Sequence, residues 1–262
     1  MRQSERAFVA EGAKLIEVAT RSGRPIESVF VAAESEGTAA TRALIAELER
    51  AGTRVFDLGP GVMERVADTV TPQPICAVVA AVDVTLESLL ARPGGTDEAR
   101  EQGAAAALPP PLGRLWLVCV DVRDPGNLGS ILRVAAASGV AGVIVCAGSV
   151  DPYNPKAVRA SAGAVFQVPL VKAPDAAVAL AAIKETGCRL LGTVAEGGTP
   201  YLDVDFGGDV GLVLGNEASG LPGELEAVLD SWVTIPMAGG TESLNVAMTA
   251  AVLCFEAMRP NR

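Results

Sequence analysis

The chain has 262 residues, half of them apolar, and its 21 basic and 31 acidic residues give a formal net charge of −10. This length and apolar content predict one or two domains with sizeable cores. The acidic balance counts against broad nonspecific binding to nucleic acid, although it leaves room for a local basic patch. The sequence has no histidine, which excludes Ser-His-Asp and Cys-His catalysis and His-ligated metals. We expect no metal site.

The cysteines and the absence of export signals predict where the protein works. None of the five cysteines stands in a C-x-x-C pair, and most lie inside apolar runs such as 117–120. They are expected to be buried thiols in a reducing compartment. No apolar run reaches about 18 residues, and Glu11 directly follows the first apolar residues. We therefore expect a cytoplasmic protein with no signal peptide and no membrane span.

Residues 1–91 alternate helical and strand patterns, which predicts a small α/β domain. The expected elements are a helix over 9–22, a strand over 26–33, a helix over 38–51, a strand over 54–58, a short helix over 60–67 and a strand over 75–82. Residues 92–111 are rich in Pro, Gly and Ala and show no apolar periodicity. This composition predicts a linker.

Residues 112–262 alternate strand and helix to the end, which predicts an α/β domain with a parallel sheet. Strands are expected over 115–121, 142–146, 165–170, 189–194, 210–214 and 231–235. Helices are expected over 128–138, 155–160, 175–186, 223–227 and 243–258. The first strand is apolar throughout, as expected for a strand covered on both faces.

Three polar segments follow predicted strands, and ligands bind at the carboxyl ends of parallel strands. These segments are Asp124–Arg133, Leu214–Leu221 and Ile235–Asn245. Asn127 lies in a glycine-containing turn of the first segment, and Glu217 directly follows a buried strand in the second. An ordinary β–α turn and a helix-capping carboxylate are the alternative interpretations of these two residues. The third segment ends at a helix N-terminus, where free backbone N–H groups can hold a polar ligand.

In this order and spacing the three segments resemble the SpoU (TrmH-like) branch of the SPOUT RNA methyltransferases, over nearly the whole chain. The first domain is similar to the RNA substrate-binding domain of that family in Phe8-Val-Ala-Glu11-Gly12 and in 71–78. The resemblance implies an α/β fold in which a C-terminal parallel-sheet SPOUT domain forms a trefoil knot. It also implies a homodimer with active sites near the subunit interface.

The resemblance further implies methyl transfer from S-adenosylmethionine to a ribose 2′-hydroxyl of RNA, most often ribosomal RNA for chains with this first domain. The implied catalytic residues are Asn127, Arg133, Glu217, Ser243 and Asn245. The pKa of a free arginine lies above about 12. We therefore favour Arg133 as the group that grips a phosphate and stabilises the developing alkoxide, while the alternative of a base stays open.

Two further sets of residues follow from the same resemblance and from the charges. The implied cofactor contacts are Thr193, Leu214, Gly215, Asn216, Ile235, Pro236, Met237 and Leu244. The expected RNA contacts are cationic side chains near the first polar segment and in the first 24 residues, since phosphates are gripped by such groups. They are Arg123, Lys156, Arg159, Arg6, Lys14 and Arg24.

Three alternatives remain beside this interpretation. One is an RNA-binding or ribosome-binding protein that has lost catalysis, and another is a tRNA ribose methyltransferase. A dinucleotide-binding oxidoreductase requires a G-x-G-x-x-G turn after the first strand. The segment Gly126-Asn-Leu-Gly129 lacks that spacing, which counts against the third alternative.

Overall fold

The computed structural model describes residues 6–32, 38–66, 71–91 and 113–259. Most of the chain therefore has a described backbone, and the predicted linker over 92–111 lies outside the described residues. The described elements form two sheets. We call residues 6–83 around the first sheet the first unit, and residues 84–259 around the second sheet the second unit.

The first sheet has four strands in the order β1-β4-β2-β3. Only β2 and β3 are parallel, and the other two pairs are antiparallel. The strands are β1 (Ala7–Glu11), β2 (Ile26–Ala32), β3 (Arg54–Leu58) and β4 (Ile75–Ala80). The helices of this half of the chain are α1 (Ala13–Arg21), α2 (Ala39–Arg50), α3 (Met63–Val66) and α4 (Leu86–Leu90).

The helix expected over 9–22 is wrong at its start, because residues 9–11 belong to the strand β1. Phe8 and Ala10 are buried whereas Val9 is exposed, and this alternation is typical of a strand. Gly12 has a φ of 100°, a backbone conformation that only glycine adopts readily. It ends the strand, and α1 begins at the next residue.

The second sheet has seven strands in the order β7-β6-β5-β10-β8-β11-β9, and all neighbouring pairs are parallel. Its strands are β5 (Leu115–Cys119), β6 (Gly142–Cys146), β7 (Leu170–Ala173), β8 (Arg189–Thr193), β9 (Thr199–Pro200), β10 (Val210–Leu214) and β11 (Ser231–Thr234). Every residue of β5, β6 and β10 is buried. The predicted doubly covered parallel sheet is confirmed.

Helices cover both faces of the second sheet. They are α5 (Pro125–Ser138), α6 (Pro155–Ala160), α7 (Ala176–Glu185) and α8 (Val246–Ala257). One core holds residues of the first unit together with one face of the second sheet, and a second core lies on the opposite face. Leu89 of α4 belongs to the second core, so α4 packs with the second unit although it precedes the predicted linker.

Several expected elements of the second unit differ from the structure. The helix expected over 128–138 begins at Pro125, and the strand β9 was not expected. The strand expected over 165–170 is wrong: Ala164–Phe166 is a short 3₁₀ turn, and β7 begins only at Leu170. Gly163, with a φ of 95°, starts this turn. The helix expected over 223–227 is only the 3₁₀ turn Gly223–Leu225. The last helix begins at Val246 rather than at residue 243.

None of the helices in the described ranges has the length and apolar character that crossing a bilayer requires. All five cysteines are free and buried, as expected. Burial raises the pKa of the Cys76 thiol to about 11 and those of Cys146, Cys188 and Cys254 to about 12. These thiols are therefore protonated at neutral pH and are poor nucleophiles.

Candidate functional site

The candidate site lies at the carboxyl edge of the second sheet, where β5, β10, β8 and β11 are successive neighbours. Leu214 at the end of β10 is in register with Cys119 of β5, and Thr193 of β8 is in register with Val233 of β11. The polar segments that leave β5, β10 and β11 therefore begin side by side. This arrangement is the expected position for a ligand in an open parallel sheet.

The first polar segment is fixed by a helix cap. The carboxylate of Asp124 accepts a hydrogen bond of 2.9 Å from the backbone N–H of Asn127, and Pro125 occupies the first turn of α5. This bond, supported by Lys156 nearby, lowers the pKa of Asp124. Asp and Pro in these positions are strong signals for a helix start. The cap places Asn127 in the first turn of α5.

A chain of side-chain hydrogen bonds joins the three polar segments. Asn127 donates from Nδ2 to Oε1 of Glu217 over 2.6 Å, and Asn245 donates from Nδ2 to Oδ1 of Asn127 over 2.8 Å. Both polar atoms of the Asn127 amide are used, so its orientation is fixed by its neighbours. Asn127, Glu217 and Asn245 thus form one connected group, which we call the amide–carboxylate chain.

Asn216 and Gly215 shape the loop that carries Glu217. Oδ1 of Asn216 accepts from the backbone N–H groups of Ala218 and Ser219 at 2.9 and 3.1 Å. Its Nδ2 donates to the carbonyl of Asp121 at 3.0 Å. A Cβ at Gly215 would lie only 2.5 Å from the backbone carbon of Gly220. The loop therefore folds tightly back against itself, and position 215 requires a glycine.

Asp121 is a residue that the sequence analysis missed. It directly follows the buried end of β5 and has a φ of 57°, which is uncommon for a residue with a side chain. Its carbonyl holds Asn216, and its carboxylate accepts a 2.8 Å bond from Arg123. It thus links the loop after β5 to the loop after β10. A carboxylate directly after an apolar strand was the available sequence signal.

The third polar segment leaves its backbone available to a ligand. Among the described residues, the backbone N–H groups from Met237 to Leu244 form no hydrogen bonds within the protein. Ser243 is exposed, whereas Leu244 is half-buried. Asn245 closes the segment by capping α8, since its Oδ1 accepts from Ala247 over 2.9 Å. Unpaired backbone donors of this kind need a polar partner, which a bound ligand or water supplies.

The expected cofactor contacts cluster at this edge. Thr193, at the end of β8, donates from Oγ1 to the carbonyl of Val213 over 3.1 Å. Leu214 ends the neighbouring strand β10, and Gly215 and Asn216 follow it. The remaining contacts lie after β11 and before α8; they are Ile235, Pro236, Met237 and Leu244. Gly215 packs closely on the backbone of Gly220, and backbone N–H groups without partners among the described residues lie on the neighbouring segment. Such a site suits a nucleoside that is held largely by main-chain groups.

Arg133 does not lie beside Asn127. Six residues along α5 correspond to a rotation of about 240° and a rise of about 9 Å. The Arg133 side chain is exposed and forms no ion pair or hydrogen bond with any residue in the described ranges. The other four expected catalytic residues come from the three polar segments that meet at the sheet edge, whereas Arg133 lies farther along α5 and on another side of it.

Two of the expected RNA contacts flank the amide–carboxylate chain. Arg123 is exposed and pairs with Asp121 at 2.8 Å. Lys156 at the start of α6 lies 3.6 Å from the Asp124 carboxylate that caps α5. Both side chains keep most of their surface in solvent. Each is paired with an aspartate beside the site, so its charge is partly balanced there.

The other expected RNA contacts lie on or beside the first unit. Arg6 pairs with Asp83 at 3.2 Å, and Lys14 is exposed at the start of α1. Arg24 donates to the carbonyl of Phe166 over 2.9 and 3.1 Å, and Arg159 lies 3.4 Å from Glu11. Arg24 and Arg159 therefore join the first unit to the second, a role that sequence spacing did not reveal.

The family models match the two halves of the chain. The model of the SpoU rRNA methylase family matches residues 114–255, and that of the MRM3-like substrate binding domain matches residues 1–77. The chain belongs to the SpoU rRNA methylase family. The amide–carboxylate chain and the expected cofactor contacts lie within the first match. The expected contacts Arg6, Lys14 and Arg24 lie within the second.

The matches to curated relatives cover different shares of this chain. It is 29% identical over 254 residues to the 23S rRNA (guanosine(2553)-2′-O)-methyltransferase RlmP of Bacillus subtilis, covering 97% of this chain and 89% of that protein. It is 35% identical to the 23S rRNA (guanosine-2′-O-)-methyltransferase RlmB of Xanthomonas axonopodis pv. citri, covering 68% and 78%. An uncharacterized tRNA/rRNA methyltransferase of Synechocystis is 38% identical, but the match covers 58% of this chain and 55% of that protein.

Solved structures share the fold over nearly the whole chain. The AdoMet-bound rRNA methyltransferase of Sinorhizobium meliloti has a TM-score of 0.79 and 28% identity, covering 98% of this chain and 88% of that one. The SpoU methyltransferase AviRb of Streptomyces viridochromogenes with AdoMet has a TM-score of 0.78 and 27% identity, covering 98% and 91%. The expected α/β fold of the SPOUT methyltransferases is confirmed, while the trefoil knot stays a prediction.

Proposed function

We propose that this protein transfers the methyl group of S-adenosylmethionine to a ribose 2′-hydroxyl of RNA, with ribosomal RNA as the substrate. The amide–carboxylate chain carries the proposal, because it joins three polar segments at the sheet edge where a ligand belongs. The relatives named as 23S rRNA 2′-O-methyltransferases support the substrate. This substrate agrees with the cytoplasmic location expected from the sequence.

The site residues divide into a group that would hold the methyl donor and a group that would hold the methyl acceptor. Free backbone groups from Met237 to Leu244, with Gly215 and Thr193, would hold S-adenosylmethionine. This cofactor supplies an electrophilic methyl group on a positively charged sulfur. Asn127 and Ser243 would orient the ribose, since their polar groups lie on segments that meet at the same edge. Alignment of hydroxyl, methyl and sulfur is the main task of such a site.

The acceptor hydroxyl must lose its proton as the new O–CH₃ bond forms and the C–S bond breaks. The proton passes to water, and S-adenosylhomocysteine leaves as the second product. A guanidinium group is a poor base, so the role of Arg133 is to hold the adjacent phosphate and to stabilise negative charge on the ribose oxygen. Within one protomer it is rotated away from Asn127. We therefore infer that a second protomer completes the site.

We infer that the second protomer docks on α8. Met248 and Phe255 are seven residues apart on this helix, and 61% and 47% of their surfaces are exposed. Residues at this spacing share one helix face. α5, which carries Arg133, packs against α8. A homodimer through this face covers the apolar side chains and brings Arg133 of one copy toward the site of the other.

The test is methyl transfer from labelled S-adenosylmethionine to in-vitro-transcribed 23S rRNA, with tRNA as a parallel substrate and Asn245→Ala as the matched inactive variant. We expect label in 23S rRNA at a ribose 2′-oxygen. Label in tRNA alone would favour the tRNA alternative. Cofactor binding by calorimetry without transfer to either RNA would favour the RNA-binding alternative that lacks catalysis.

A further inference from the structure

Tyr153 of the second unit makes an unusually complete contact with the first unit. Its hydroxyl accepts hydrogen bonds of 2.8 Å from the backbone N–H groups of Val82 and Asp83, and it donates one of 2.7 Å to Oδ1 of Asp83. A tyrosine hydroxyl has one donor and two acceptor positions, and all are used. Only 6% of the residue is exposed. The end of the first sheet is thus held by one buried side chain.

Apolar packing surrounds this hydroxyl. The ring of Phe8 on β1 stacks on Tyr153 with centroids 4.5 Å apart, and it lies 5.7 Å from the ring of Phe166. Arg24, just before β2, donates two bonds to the carbonyl of Phe166. Two elements of the first unit are therefore attached to the same small region of the second unit. Stacked aromatic pairs add stability beyond their buried area.

The same region connects directly to the helix that carries Asn127. Tyr153 lies two residues before α6, and Arg159 on α6 pairs with Glu11 on β1. On its other side α6 packs on α5 so closely that a Cβ at Gly129 would lie 2.5 Å from the Cβ of Ala160. α6 is thus wedged between the first sheet and α5. A shift of the first unit relative to Tyr153 would therefore displace α6 and, through it, the start of α5.

We propose that Tyr153 is a positioning residue that selects the methylated nucleotide, by fixing the RNA-binding first unit at a set distance from Asn127. The inference rests on the proposed function. The first unit shares one buried core with one face of the second sheet, and the Tyr153 hydroxyl fixes its position within that contact. RNA register is set by phosphate contacts made at a distance from the reacting group. A misplacement of about 1 Å can lower a rate about 100-fold. A fixed distance between the first unit and Asn127 therefore determines which nucleotide is methylated.

Tyr153→Phe tests this role, because it removes only the hydroxyl, and Tyr201→Phe is the matched control in the sole other tyrosine. We expect amide exchange of Val82 and Asp83 to rise about tenfold, as expected for the loss of one buried hydrogen bond. We expect unchanged affinity for S-adenosylmethionine by calorimetry. On 23S rRNA, the fraction of methyl groups at the wild-type position should fall about threefold or more, with new label at nearby nucleotides.

Each outcome bears on the proposal. Faster exchange with an unchanged methylation pattern would overturn target selection, and unchanged exchange would overturn the fixing role itself. If Tyr153→Phe does not fold, Asp83→Ala removes the bond that the Tyr153 hydroxyl donates, and its methylation pattern on 23S rRNA is then compared with that of the wild type in the same way. A wild-type protein that binds the cofactor and methylates no RNA would show the proposed function to be wrong, and target selection with it, while the exchange data would still report the contact.

Discussion

Asn245 donates its side-chain amide to the side-chain oxygen of Asn127 over 2.8 Å, although the two residues are 118 positions apart. Through its own Oδ1, Asn245 also caps α8. One side chain therefore starts a helix and orients the central amide of the site. Filling both roles requires a side chain with both a donor and an acceptor.

Asn127→Asp tests the amide–carboxylate chain with almost no change in shape. The new carboxylate loses the donor to Glu217 and places like charges at a 2.6 Å contact. We expect the single-turnover methyl transfer rate to fall about 100-fold, since a preorganised polar group in a site is worth this much. Affinity for S-adenosylmethionine by calorimetry should stay nearly constant.

Asn154→Asp is the matched control for that variant, because Asn154 caps α6 through an oxygen that aspartate retains. It should transfer methyl groups at the wild-type rate. Equal rates for Asn127→Asp and the wild type would remove Asn127 from the mechanism.

Arg133→Ala separates cofactor binding from transfer. The side chain is exposed and away from Asn127 in its own protomer, so its loss should leave S-adenosylmethionine affinity unchanged. We expect kcat to fall by about 100-fold to 1000-fold, the effect of removing one group that stabilises developing charge. Steady-state kinetics on 23S rRNA provide the measurement, and Arg50→Ala on α2 is the control. Loss of cofactor affinity would contradict this division of roles.

Met248→Glu tests the proposed second protomer. A charge on an apolar face opposes the burial of that face in an interface. We expect the variant to elute as a monomer in light-scattering chromatography and to lose methyl transfer. Val178→Glu on α7 changes a residue of similar exposure, 66% against 61%, and should stay dimeric. A monomeric wild-type protein with full activity would exclude the dimeric site.

Asp124 gives a prediction for acid pH. The hydrogen bond from Asn127 and the nearby Lys156 lower its pKa in the folded protein. A carboxyl whose folded pKa lies below its unfolded value of about 3.9 stabilises the fold above that pH and loses this contribution as the pH falls through the folded pKa. We expect Asp124→Ala to reduce the free energy of unfolding by about 1 kcal/mol at pH 7.

Denaturant titrations at several pH values check this prediction. The difference between Asp124→Ala and the wild type should shrink below about pH 4. Asp124→Asn keeps a capping oxygen without a titrating group, so it should change stability less at pH 7. A difference between wild type and Asp124→Ala that is independent of pH would show that the carboxylate charge has no part in the cap.

The buried parallel sheet was predictable because its strands are continuous apolar runs of the expected length, as in β5 and β10. The strand β1 and the 3₁₀ turn at Ala164 were not. Only Glu11 and Gly12 separate Phe8-Val9-Ala10 from the helix that follows, and Val165 and Phe166 are apolar because they pack in the core. Apolar composition reports burial more reliably than it reports backbone conformation.

The candidate site was predictable in part for a similar reason. Asn127, Glu217 and Asn245 each follow a strand end, and the sheet brings strand ends together. Asp121 and Tyr153 were missed, because their roles depend on contacts between positions 95 and 70 residues apart. Only a folded chain shows that such positions meet.

The shared core of the two units has a thermodynamic consequence. Phe8, on the first sheet, belongs to the same buried cluster as Phe166 and the second sheet. Units that share one core cannot lose their packing independently. Heating should therefore melt the protein in a single calorimetric transition whose van't Hoff and calorimetric enthalpies agree, although two separate family models match its halves.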